Sequence, residues 1–220
     1  PQTIEIAPSE ALEAIPDHYT TSMPFSRHVV RLVLGGPERD PVLIHGVEGE
    51  DIRPPEGTEL PSLRILTYGT SITHGMFSEG PHLNYAGHAA RRLGADLINL
   101  GVAGGAYCEQ ELADYMAERT DWHLASLGLS VNMQGFSLSE FRQRVQYLVH
   151  RISGANIARP VACITLYPYY RDLGWEPPYN LDSNQEYGGT PEQYRQELRE
   201  AVKASPHNNA HLVEGRELLT

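Results

Sequence analysis

From Leu63 onward the chain alternates short apolar runs with longer segments of helical period, and few folds accept that pattern. Leu63-Arg64-Ile65-Leu66-Thr67-Tyr68 is a run of strand length that ends in a glycine. Comparable runs follow at Asp96–Leu100, Leu124–Ser130, Val161–Leu166 and Ala210–Val213. Among the intervening segments, Ser137 and Glu140 have capping-box spacing. Phe141, Val145, Leu148, Val149 and Ile152 then repeat on one helical face, and Gly154 is placed to end the helix. Thr190-Pro191 starts another helix with Tyr194, Leu198 and Val202 on one face, stopped by Pro206. Strands that alternate with helices predict an α/β chain whose parallel sheet is covered on both faces, doubly wound, with about five strands.

Residues 1–62 have a different texture. Short apolar stretches such as 29–34 and 42–44 are broken by Gly35-Gly36-Pro37 and Pro54-Pro55-Glu56-Gly57, which read as turns. They predict a small β-rich N-terminal segment with a linker at 53–62, ahead of an α/β domain over 63–220.

Composition removes several classes of function. The 17 basic residues stand against 28 acidic ones, a net charge of −11, and Lys203 is the one lysine. A duplex-binding protein neutralises phosphates with Lys and Arg, so nucleic acid is not an expected partner. A polybasic membrane anchor is not expected, on the same ground. No apolar run has the ~18 residues of a spanning helix. Cys108 and Cys163 are too few for a disulfide scaffold and read as two free thiols. The ten histidines show neither His-x-His nor His-Glu-x-x-His spacing, and the cysteines no Cys-x-x-Cys, so no metal and no cofactor is expected. No signal-peptide pattern opens the sequence, which favours the cytoplasm.

In an open parallel sheet, ligands bind beyond the carboxyl ends of the strands. There the chain places Gly69-Thr70-Ser71-Ile72-Thr73-His74-Gly75, then Asn99 through Gly105, then Ser130-Val131-Asn132-Met133. A hydroxyl, a glycine loop and a carboxamide thus converge on one rim. Acyl transfer by serine needs an exposed hydroxyl and donors aimed at the oxygen that becomes negative in the tetrahedral intermediate. Ser71 supplies the first; its own N–H, the Gly104 N–H and the Asn132 side-chain amide supply the second. Structural readings stand beside each of these. Ser71 would cap a helix, Gly104 and Gly105 would permit a turn, and Asn132 would satisfy loop backbone.

These three segments resemble blocks of the SGNH, or GDSL-like, hydrolase family. Gly69-Thr70-Ser71-Ile72-Thr73 is similar to its Gly-Asp-Ser-Ile-Thr block, with Thr70 for Asp. Asn99–Gly104 is similar to the second block, and Ser130-Val131-Asn132-Met133 resembles the third, Gly-x-Asn-Asp, with Ser130 and Met133 as departures. The resemblance spans about 63–220 and implies a flavodoxin-like fold. It implies a serine esterase with Ser71 as nucleophile and Gly104 and Asn132 in the oxyanion hole, acting on a small-molecule or carbohydrate ester. The family's general base is the histidine of a C-terminal Asp-x-x-His block, and no Asp here has a His three positions on. The expectation is therefore that the base lies beyond Thr220. The rival reading is an SGNH-like module that binds an ester or carbohydrate without catalysis.

Other residues near the same rim read differently. His74 reads as a neighbour of the site rather than its base, His82 follows Glu79 at the right spacing but in the wrong block, and His207 and His211 read as structural. Tyr167 through Asp172, after the fourth strand, would line an acyl or sugar pocket or merely pack a loop. A flavin or nucleotide site is opposed by the lack of G-x-x-x-x-G-K-[ST] and G-x-G-x-x-G, and an α/β-hydrolase elbow by the lack of a second glycine after Ser71.

Overall fold

The structure is a computed structural model that describes residues 3–7, 9–20, 23–33, 43–174 and 187–218. Before the sheet, the described residues form two single-turn helices, α1 (Glu10–Glu13) and α2 (Asp17–Thr20), and a 3-10 turn at Gly57–Glu59. Of the stretches expected to be strands, Leu34 and Val42 lie outside the described residues; 29–33 and 43–44 carry no strand.

Five parallel strands follow, β1 (Arg64–Gly69), β2 (Asp96–Gly101), β3 (Leu124–Gly128), β4 (Val161–Ile164) and β5 (Ala210–Val213), in the order β2-β1-β3-β4-β5. Each matches one of the apolar runs. Order reverses beside β1, the switch point at which such sheets bind ligands. Register makes this rim level: Gly69 of β1 is paired with Gly101 of β2 and with Gly128 of β3. Whatever follows these three glycines emerges side by side.

Helices cover both faces. α3 (Ser71–His74) and α4 (Tyr85–Arg92) lie against β1 and β2, where Ile65 packs with Ala90 and Ala95. On the opposite face, α5 (Gln110–Glu118), α6 (Leu138–Ala155) and α7 (Pro191–Lys203) enclose the larger core. There Leu66, Leu127 and Cys163 meet Phe141, Leu148 and Leu198, all buried. Each such apolar side chain contributes roughly 1.5–3 kcal/mol on burial. A last single turn, α8 (Gly215–Leu218), follows β5.

Two local expectations are corrected. Ser137 Oγ accepts the Glu140 N–H at 3.2 Å, but the Glu140 carboxylate turns to Arg144 at 2.8 Å instead of closing the capping box. Gly154 does not end α6, which runs on to Ala155; a Cβ there would sit 2.8 Å from His207 Nε2, so this glycine admits a neighbour. The helix over 191–203 does carry a full capping box, Thr190 with Gln193. Cys108 and Cys163 are both buried free thiols; burial pushes the Cys163 thiol up to about 12. Among the described residues no helix is long and apolar enough to cross a membrane, and no group of three or more His, Cys, Asp and Glu side chains is placed to hold a metal ion.

Candidate active site

Ser71 is the first residue of α3, and its neighbour Thr70 is the cap: Thr70 Oγ1 accepts the Ile72 N–H at 3.4 Å. The capping role that a serine here would otherwise fill is thereby taken. Ser71 is half-buried, and its hydroxyl makes no hydrogen bond among the described residues. The short helix is pinned from behind. Asn99 Nδ2 donates to Thr73 O at 2.8 Å while its Oδ1 accepts the Gly101 N–H at 2.9 Å. Contact is close enough that a Cβ at Gly101 would lie 2.2 Å from His74 N, so only glycine fits. His74 Nδ1 lies 3.2 Å from Gly101 O, facing the end of β2.

After β2 the chain makes a tight turn in which the Gly105 N–H donates to Val102 O at 3.2 Å, with Gly104 at φ 70°. That left-handed position suits glycine and leaves the Gly104 N–H on an exposed loop, without a partner among the described residues. Asn132 lies in the 3-10 turn Val131–Met133 that follows β3. Its Nδ2 donates to Gly105 O at 2.8 Å, tying the third rim segment to the second. The three candidate residues Ser71, Gly104 and Asn132 therefore stand at the ends of three adjacent, level strands.

Beside them lies an apolar cleft of about 700 Å³, lined by Ile72, Tyr85, Val131, Leu166, Tyr167 and Val213 among others. Ile72 and Val131 line it; Ser71, Gly104 and Asn132 do not. Tyr167, Pro168 and Tyr169 face this cleft, whereas Asp172 is occupied in an ion pair with Arg195 at 2.5 Å. Burial raises the Tyr167 and Tyr85 phenols above their ordinary range, so both are neutral donors or acceptors. His207 and His211 line a second cavity at the opposite end of the strands, away from the rim. His82 is exposed before α4.

A profile of the GDSL-like lipase/acylhydrolase family matches residues 62–215, well over half of the chain. The chain belongs to this family. No curated protein matches it. Solved structures of similar fold include a protein of Bacteroides ovatus described as a GDSL-like lipase, at 21% identity and TM-score 0.57, covering 71% of this chain and 44% of that one. Another is the salicylyl-acyltransferase SsfX3 of a tetracycline biosynthetic pathway, at 20% identity and TM-score 0.54, covering 70% and 42%. A family two carbohydrate esterase of Clostridium thermocellum, in complex with cellohexaose, stands at 15% identity and TM-score 0.53, covering 70% and 54%. This chain thus spans about half the length of these structures.

Within a GDSL-like chain, Ser130 is out of keeping with its position. It adopts φ 88°, a conformation that favours the glycine of the family block, and its buried hydroxyl has no partner among the described residues. What the sequence did not disclose is the support around the glycine loop. Tyr68, Tyr107 and Glu109 hydrogen-bond to it or to one another across up to 41 positions. The one local signal is a glutamate at the position just before α5, a poor capping residue.

Proposed function

We propose that this chain is a carboxylic ester hydrolase with Ser71 as nucleophile. The observation that carries the reading is the single rim on which a Ser71 hydroxyl unengaged among the described residues, the left-handed turn at Gly104 and the Asn132 carboxamide stand together, the last two joined through Gly105 O at 2.8 Å. Ser71 Oγ attacks the ester carbonyl carbon and its proton leaves to a base. The carbonyl oxygen becomes negative and is met by the N–H groups of Ser71 and Gly104 and by Asn132 Nδ2. Each such donor lowers the barrier by about 3–4 kcal/mol. Collapse breaks the bond to the alcohol, which departs with the proton. Water, giving a proton to the base, then attacks the acyl-serine; the bond to Ser71 Oγ breaks, the acyl group leaves as the carboxylic acid, and the proton returns to Ser71. Among esters, acylated carbohydrates are the first class to assay, since a carbohydrate esterase shares the fold.

A second reading has its own observation. None of the ten histidines stands in an Asp-x-x-His pattern, and His74, the histidine nearest Ser71 in sequence, has Nδ1 turned to Gly101 O. Without a proton acceptor the rim would bind esters and not turn them over.

Intact mass before and after a fluorophosphonate separates the two. A single rapid adduct that disappears in Ser71→Ala is the expected result. Labelling that persists in Ser71→Ala would overturn the nucleophile, and no adduct together with saturable ester binding would select the second reading.

A further inference from the structure

Between Val102 and Glu109 the backbone enters the left-handed region three times, at Gly104 (φ 70°), Ala106 (φ 63°) and Cys108 (φ 53°). Glycine adopts it freely; alanine and cysteine do not, and both are fully buried here. Such a path persists only where its surroundings enforce it. The enforcing contacts are on hand. The Cys108 N–H donates to Tyr68 Oη at 3.0 Å, and that hydroxyl in turn donates to Glu109 Oε2 at 2.7 Å. The Tyr107 N–H donates to Glu109 Oε1 at 3.2 Å.

Routine loop packing does not account for two features of this arrangement. Glu109 occupies the cap position of α5 yet its side chain caps none of that helix's N–H groups; Oε1 accepts from the loop at the Tyr107 N–H, and Oε2 accepts from the β1 hydroxyl of Tyr68. Tyr68 is wholly buried in β1, three residues before Ser71, so the strand that delivers the serine also grips the loop that carries Gly104. Carbonyls of the loop are held as well. Tyr107 Oη donates to Gly104 O, Asn132 Nδ2 to Gly105 O at 2.8 Å, and Arg144 Nη1 to Tyr107 O at 3.3 Å. The Gly104 N–H is left without a partner among the described residues.

We propose that Tyr68 and Glu109 are positioning residues, a clamp that holds loop 102–108 on its left-handed path and so fixes the direction of the Gly104 N–H. Their role rests on the oxyanion function proposed for Gly104. Preorganised donors stabilise developing charge because they need not reorient during the reaction, so loosening the loop costs transition-state stabilisation rather than substrate binding. Burial, and after it the nearby Cys108 and Glu109, keep the Tyr68 phenol protonated well above its usual range, so its donation to Glu109 persists at working pH.

The test uses the full chain with p-nitrophenyl acetate as probe, comparing wild type, Glu109→Ala, Glu109→Gln, Tyr68→Phe and Ser71→Ala. In Glu109→Ala and Tyr68→Phe, kcat is expected to fall by roughly 10–100-fold while KM stays within about twofold. Glu109→Gln, which keeps one carbonyl acceptor, recovers part of the loss. Amide hydrogen exchange at Tyr107 and Cys108 accelerates by about tenfold or more in Glu109→Ala, while amides in the core of α6 keep their protection. Unchanged kcat in both clamp variants, with Ser71→Ala inactive, overturns the clamp alone. Unchanged exchange at Tyr107 and Cys108 does the same. Full turnover by Ser71→Ala overturns the serine reading instead, and a wild-type chain that turns over no ester removes the catalytic role of the clamp along with it.

Discussion

Asn132 commits one N–H to Gly105 O and has a second on the same nitrogen, so under the proposed oxyanion role one side chain would both tie a loop and donate beside it. Replacing it with alanine removes both, and kcat toward an activated ester is expected to drop by about 10²–10³-fold. A loss below tenfold, with the fold intact, would show that the carboxamide only ties the loop. Ser130, two positions earlier, is strained and buries a hydroxyl without a partner among the described residues. Ser130→Gly relieves both, against a smaller loss from a more flexible unfolded chain, so a net gain of about 1 kcal/mol is expected in denaturant unfolding. A loss of stability would mean that the hydroxyl is engaged in solution. The placement of Ser71, Gly104 and Asn132 on one rim was legible because each follows an apolar run of strand length, and their proposed roles rest on that placement. The clamp was not, because Tyr68 looks like any buried strand residue until the fold brings Glu109, 41 positions away, to its hydroxyl.

The elements themselves were more legible than their ends. All five strands appear where short apolar runs stand. β1, β3 and β4, inside the sheet, are largely buried on both faces and so carry no polar alternation to obscure them, while the edge strand β5 exposes His211 and Leu212. Helix termini depend on side-chain choices that tertiary contacts decide, and α6 illustrates this. Glu140 meets the spacing of a capping box, yet Arg144 one turn later captures its carboxylate. Gly154 meets the description of a helix stop, yet it is retained inside the helix where the His207 ring approaches. Alanine at an interior helix glycine ordinarily adds about 0.5–1 kcal/mol of stability. Here Gly154→Ala is expected to give no gain in the wild-type chain and the usual gain in a His207→Ala background. Equal effects in both backgrounds, read as unfolding midpoints, would show that the histidine gives way without cost.

At the scale of the molecule, packing and charge divide the sheet between them. Apolar side chains fill the layer beneath α5, α6 and α7, but the carboxyl end of β4 and β5 is fastened by ion pairs. Arg195 is fully buried, donating from Nε to Leu166 O at 2.8 Å and from both terminal nitrogens to Asp172 at 2.5 and 2.8 Å. Arg216 also reaches Asp172, at 2.8 Å, and Arg199 joins Glu192 to Glu214 at 2.7 Å each. Hydrogen bonds from these guanidinium groups hold the carboxyls of Asp172, Glu192 and Glu214 below their ordinary range. A carboxyl depressed in the folded state adds stability that is fully present above its unfolded pKa, near about 4, and is lost as pH falls toward the folded value. Thermal midpoints should therefore be flat from about pH 7 to 5 and fall steeply below about pH 4. Asp172→Asn should flatten that fall while lowering the midpoint at neutral pH, because it leaves the buried Arg195 charge less compensated. A neutral-pH midpoint unchanged in Asp172→Asn would show that the backbone carbonyls of Leu166 and Tyr167 satisfy Arg195 without the carboxylate, and that this end of the sheet is held by packing.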